Sequence, residues 1–149
     1  MENNNPIALV TYLYKDFKRY CDRQLEPFEL ANGVYFYLIY INRYPGCSLA
    51  DLTAVMKVDK AYVTRIVKRL CELGYIQKEK SEKDSRACCL YVLDGGKAAL
   101  EKIRELFFTW NHELSLGMAD GEFELLTTLL HRAVEIKVSR TPDGKPEAD

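Results

Sequence analysis

Apolar residues recur at helical spacing through most of this chain, and the one long exception reads as a hairpin. From Pro6 to about Arg23, Ile7, Val10, Tyr14, Phe17 and Cys21 fall at i, i+3, i+7, i+10 and i+14, a narrow seam of the coiled-coil type. Glu26 to Tyr44 is apolar almost all round its middle and predicts one central buried helix, ended by Pro45-Gly46. Ser48 to Met56 predicts a short helix, capped by Ser48 with Asp51 three residues on. After a Lys57-Val58 turn, Asp59 caps a second helix to Leu73, whose Val63, Ile66, Val67 and Leu70 form a buried stripe. Gly74 stands where a left-handed C-terminal residue is wanted. Strands follow at Tyr75–Lys80 and Ala87–Val92, joined by a Ser81–Arg86 tip. Asp94 is the expected cap of a long helix to about Met118, with Gly95 and Gly96 weakening its first turn. Leu100, Ile103, Phe107, Trp110 and Leu114 form a second seam. Asp120 opens a last helix to about Val138, with Phe123, Leu126, Leu130 and Ala133 as a third seam. Residues 140–149 (RTPDGKPEAD) are expected to be a disordered tail.

The helix from Asp59 carries the chemistry. Opposite its buried stripe, Ala61, Thr64, Arg65 and Lys68 repeat the same spacing, so this side shows water only small, hydroxyl and cationic groups. Such a face suits a DNA major groove. Two short helices and a basic strand–loop–strand, about residues 46–93, predict a winged helix-turn-helix: a mainly α fold with a small β-hairpin wing. Residues 1–139 then form a single domain, with helices at about 6–24 and 94–138 serving dimerisation. Three narrow apolar seams exceed what one small chain easily covers, and a second copy is the economical partner. The alternative is that the seams pack on each other within one chain.

Charge changes the picture only when divided by region. The whole chain has a formal net charge of −1, which does not look like a polyanion binder. Between Lys57 and Arg69, however, Lys57, Lys60, Arg65, Lys68 and Arg69 stand against Asp59 alone, five cations to one anion, a local +4. Local placement decides phosphate binding. The longest apolar stretch, Gly33 to Ile41, is far short of the roughly 18 residues needed to span a bilayer, and MENNNP lacks the layout of a signal peptide. Five cysteines without a C-x-x-C pair indicate neither a disulfide framework nor a zinc site, so a reducing cytoplasm is the expected setting. No Ser–His–Asp, metal-ligand or phosphate-loop constellation points to an enzyme, and no cofactor is implied. His112 and His131 are isolated.

From VTRIVKRLCELGYIQKEKSEKDSRACCLYVLDGGKAAL, with Asp84 and Arg86 as an Asp-x-Arg at the wing, the chain resembles the MarR family of bacterial regulators over about residues 6–138. MADGEFELLTTLLHRAV is similar to the acidic start of that family's final helix. Two departures stand out. Val92-Leu93 falls where the family usually has Leu-Thr, its Thr capping the long helix, and Gln77 replaces a common Arg at the wing's base. The resemblance implies a homodimer that binds a pseudo-palindromic DNA operator, usually as a repressor, and is released by a small aromatic or phenolic effector.

Site residues follow from both lines. Lys60, Ala61, Thr64, Arg65 and Lys68 are the expected DNA-facing set, with Arg65 suited to guanine and Lys68 to phosphate. Tyr62 and Arg69 lie on its flank, and Arg69 can instead pair with Glu72 or brace the helix against its own domain. Ser48 is counted with the DNA-contacting residues. On the wing, the resemblance assigns Arg86 to the minor groove; Lys83 would meet phosphate and Asp84 would order the loop. Ten of the 17 aromatics lie between Tyr12 and Tyr44, which makes Tyr12, Phe17, Tyr37 and Tyr40 candidates for an effector site; the competing reading is that most are core. Cys21, beside Arg23 in the first helix, is the candidate for thiol-based oxidant sensing, or else a small core hydrophobe. A winged-helix module used for protein–protein contact is the remaining alternative.

Overall fold

The computed structural model describes residues 5–83 and 87–139, so Asp84, Arg86 and the tail from 140 onward lie outside the described residues. Helix α1 (Pro6–Leu25) starts on Asn5, whose side chain accepts from the Ile7 amide at 3.0 Å, with Pro6 in the first helical position. The expected single helix over 26–44 is corrected. A 3₁₀ turn occupies Glu26–Phe28, and α2 (Val34–Arg43) begins only after a break. Glu29, Asn32 and Gly33 have φ of 58°, 57° and 79°, left-handed values that no α-helix can run through. The apolar pattern hid this break because Leu25, Leu30, Tyr35 and Leu38 are all fully buried across it. Burial continues where the backbone turns.

The next elements match expectation closely. In α3 (Leu49–Met56), Ser48 Oγ accepts from the Asp51 amide at 3.1 Å and Asp51 Oδ2 accepts from the Ser48 amide at 2.7 Å, a complete capping box. Asp59 caps α4 (Lys60–Glu72) by accepting from the Tyr62 amide at 2.9 Å. Strands β1 (Ile76–Lys80) and β2 (Cys88–Val92) pair antiparallel, from Ile76 opposite Val92 to Lys80 opposite Cys88. One pairing was not foreseen. The Gly46 amide donates to Leu90 O at 2.8 Å and the Leu90 amide to Cys47 O at 3.0 Å, so the chain just before α3 is fastened to the wing.

Helix α5 (Asp94–Ser115) corrects a second expectation. The Lys97 amide donates to the Leu93 carbonyl at 2.9 Å, so Leu93 holds the cap position and Asp94 is the first helical residue. The Asp94 carboxylate instead meets Lys97 Nζ at 3.1 Å in the open. Gly96, expected only to weaken this turn, is buried against the wing's base. A Cβ there would collide with the Tyr75 carbonyl oxygen and lie 2.7 Å from Val92 Cγ1, so only glycine lets the helix start here. Helix α6 (Glu122–Val138) starts after Gly121 at φ 82°, two residues later than expected.

The chain forms two compact units, one ending at Phe107 and the other beginning at Phe108. In the first, Leu38 and Ile41 of α2, Leu52 of α3, Val63, Val67 and Leu70 of α4, Ile76 of β1, Leu90 of β2 and Ile103 of α5 share one buried cluster. In the second, α6 has no buried residue. Among the described residues, no helix is long and apolar enough to cross a membrane.

Candidate nucleic-acid interface

The face of α4 opposite the core is built as its spacing requires. Val63, Val67 and Leu70 are buried, and Lys60, Ala61, Thr64, Arg65 and Lys68 are exposed. The hydroxyl of the exposed Thr64 donates back to the Lys60 carbonyl at 2.8 Å. The Arg65 guanidinium carbon lies 5.6 Å from the centre of the half-buried Tyr62 ring, a cation–π contact that steadies a long side chain in the open. Lys68 is held loosely: its side chain is 78% exposed, and Glu72 stands 4.0 Å from its ammonium. Cations held loosely at the surface stay available to phosphate.

Two members of the expected set are already engaged within the chain. Ser48 gives its hydroxyl to Asp51, donating to Oδ2 at 2.8 Å while accepting from the Asp51 amide. Arg69 is held in a fork: Nε donates to Glu29 Oε2 at 2.7 Å, Nη2 to Glu29 Oε1, and Nη1 to Glu72 Oε2 at 3.2 Å. These two carboxylates, Glu29 first, raise the Arg69 pKa above its ordinary value. Of the two options open for Arg69 in the sequence, the pairing with Glu72 occurs, and so does a brace to its own domain through Glu29. Glu29 was not foreseen. It lies 40 residues away, and no local spacing could have joined the two.

On the wing, Gln77, Lys78, Glu79 and Lys80 of β1 are all exposed. Gln77 Nε2 donates to Glu79 Oε1 at 2.7 Å, so at the position of the missing Arg an amide is tied to a carboxylate. Lys83 is exposed, and its amide donates to Ser81 Oγ at 3.2 Å. Asp84 and Arg86, the expected loop-ordering and minor-groove residues, lie outside the described residues.

The aromatic candidates do not converge. Phe17 packs edge-on against Phe107 at 4.9 Å, and Tyr35 meets the same ring edge-on at 6.1 Å. Tyr37 is only 5% exposed and faces Tyr62 and Asp59, and burial is the main cause of its raised pKa. Tyr40, half-buried, stands against Tyr44 at 4.8 Å, whereas Tyr12 is 64% exposed. An open hollow of about 280 Å³ is lined by Asp22, Arg23, Glu26, Ala31 and Asn32, none of them aromatic. Of the two readings of Cys21, its surroundings fit the small core hydrophobe. It is fully buried, and burial, only partly offset by a hydrogen bond with Tyr35, pushes its pKa up to about 11. A thiol so placed is neutral at physiological pH and behaves as core.

Comparison with known proteins agrees with this geometry. The family model described as MarR family matches residues 32–87, which take in α2, the two short helices α3 and α4, and the first strand of the hairpin. The chain is 41% identical over 131 residues to the HTH-type transcriptional regulator BilQ of Clostridioides difficile, covering 88% of each protein. It is 31% identical to the regulator of the same name from Clostridium symbiosum, over 85% of this chain and 88% of that one. The crystal structure of MarR superposes with a TM-score of 0.82 at 24% identity, covering 93% of this chain and 95% of that one, a likeness of fold. Both of these relatives are named as HTH-type transcriptional regulators. The chain belongs to the MarR family of DNA-binding, winged helix-turn-helix transcriptional regulators.

Proposed function

We propose that this protein is a cytoplasmic repressor that binds a pseudo-palindromic operator as a homodimer and is released by a small aromatic or phenolic ligand. The observation that carries the operator part is the exposed α4 face, where Lys60, Arg65 and Lys68 surround the small residues Ala61 and Thr64. Support for the dimer comes from apolar residues left in water: Ile7, Leu9, Val10, Tyr12 and Tyr14 on α1, and Leu125, Leu129, Leu130, Val134 and Ile136 on α6. A second copy that covers them also presents a second α4, with half-site centres about one helical turn, roughly 10 bp, apart. Release requires only that the ligand prefer the DNA-incompetent arrangement of the two helices; about 1.4 kcal/mol of preference gives tenfold release. The half-exposed Tyr40–Tyr44 pair and the exposed Tyr12 offer rings and hydroxyls for that purpose, whereas Tyr37 belongs to the core.

The test is selection of bound genomic fragments by the purified protein, then titration of the selected site with wild type, Arg65→Ala and Lys68→Ala. Arg65→Ala should cost about 1–3 kcal/mol and relax base preference at one position per half-site. Lys68→Ala should weaken all duplexes evenly and lower the salt slope by about one. Absence of sequence preference at low salt would sink the operator, and a panel of aromatic acids and phenols that never releases the complex would sink the effector.

A further inference from the structure

Arg69 sits on the DNA-facing helix, yet its guanidinium is turned to a loop 40 residues earlier in the chain. Glu29 accepts two of its donors side by side and Glu72 a third. Just beyond the C-terminus of α4, the Tyr75 hydroxyl donates to the Phe28 carbonyl at 3.0 Å. Two consecutive residues, Phe28 and Glu29, are thus held by side chains from the last turns of α4 and from just beyond its end. The same loop is fixed to α1, since the Asn32 amide donates to Asp22 Oδ1 at 2.7 Å, and to the core through fully buried Leu30.

The backbone at Glu29 gives a second, independent observation. Its φ of 58° and ψ of 30° are left-handed, a conformation that side chains other than Asn, Asp and Gly disfavour. Such a residue persists where its surroundings determine it, and here it aims a carboxylate at Arg69. An exposed ion pair adds little to folding, so the effect of this one is directional. A planar fork on a carboxylate fixes both separation and plane, which a lysine ammonium cannot do.

We propose that Glu29 is a positioning residue for DNA recognition. Through the bidentate pair with Arg69 it sets the orientation of α4 against the α1–α2 loop, and Arg69 serves as a strut instead of a phosphate contact. This inference rests on α4 being the helix that reads DNA.

The experiment measures affinity against salt for a selected operator and for an unrelated duplex. The variants are Glu29→Gln, Glu29→Gly, Arg69→Ala, Arg69→Lys, Glu29→Gln with Arg69→Ala, and the exchange Glu29→Arg with Arg69→Glu. Glu29→Gly relieves the left-handed backbone, so a defect in it does not come from misfolding. The expected result is that each single variant lowers the operator-to-unrelated ratio by roughly tenfold, the scale of coupled contacts. Arg69→Lys should fall with Arg69→Ala, the double variant should be no worse than either single one, and the exchange should recover part of the ratio. The salt slope should stay that of wild type throughout. If Arg69→Ala lowers the slope by about one while Arg69→Lys does not, Arg69 is a phosphate contact and the proposal is overturned. An unchanged ratio in Glu29→Gln and Glu29→Gly overturns it equally, with wild-type operator binding intact. If wild type itself prefers no duplex, the DNA-reading assignment fails and the proposal fails with it.

Discussion

Helices α4 and α6 differ in what they leave exposed. Helix α4 buries Val63, Val67 and Leu70 in the core of its own unit and shows water Lys60, Thr64, Arg65 and Lys68. Helix α6 buries nothing and shows Leu125, Leu129, Leu130, Val134 and Ile136. The apolar side of α4 is satisfied within the chain, so its open face is free to meet a polyanion. The open face of α6 is apolar, and water is a poor partner for it. The contrast separates a recognition surface, which must stay wet until its ligand arrives, from one that a second copy of the chain is proposed to cover.

The largest expected effect tests that contrast directly. Leu70→Ala should lower folding stability by about 2–5 kcal/mol, because it opens a cavity in a closed core. Its loss should be independent of protein concentration. Leu129→Ala on α6 should act on association, making the melting temperature more strongly concentration-dependent. Thermal unfolding of both variants over a wide concentration range distinguishes them, and a concentration-independent loss in Leu129→Ala would erase the distinction.

Glycine substitutions sharpen the same comparison at smaller cost. Gly96→Ala should lose about 1–3 kcal/mol, since its Cβ meets the Tyr75 carbonyl and Val92. Gly117→Ala, with nothing within 4 Å of its Cβ, should be neutral or gain about 0.5 kcal/mol through the unfolded chain. Denaturant midpoints measure both, and equal losses would mean that the second unit is packed as tightly as the first.

The smallest effects concern the thiols of the first unit. Burial pushes Cys21 and Cys47 from 9.0 to about 11. The folded chain then keeps protons that the unfolded chain releases, so their contribution is complete below pH 9 and declines as pH rises toward 11. Denaturant midpoints between about pH 8 and about pH 10.5 should fall, and fall less steeply in Cys21→Ala. An identical slope in the variant would show that Cys21 is not the source. The same buried neutrality predicts that dilute peroxide leaves operator binding unchanged. Release by peroxide that disappears in Cys21→Ser would instead make the protein an oxidant sensor.

Much of this molecule was legible because the deciding interactions are local. The Ser48–Asp51 box, the Asp59 cap, the stripe on α4 and the turn at Gly74 each depend on residues within four positions, and spacing along the chain encodes them. The exposed cationic face was legible for the same reason, since a helix that buries Val63, Val67 and Leu70 has to turn Arg65 and Lys68 outward. Hydrophobic pattern reports burial and not backbone direction, which is why the break at Glu29–Gly33 passed as continuous helix.

What only tertiary structure decided depends on partners distant in sequence. The pairing of Arg69 with Glu29, the burial of the Cys21 thiol, and the scattering of Phe17, Tyr37 and Tyr40 among different neighbours all arose this way. So did the need for glycine at 96, where a carbonyl from across the hairpin occupies the space of a side chain. A sequence fixes which face of a helix is apolar because that depends on a periodicity of 3.6 residues; which charge meets which, and how close two backbones come, depends on how those faces pack.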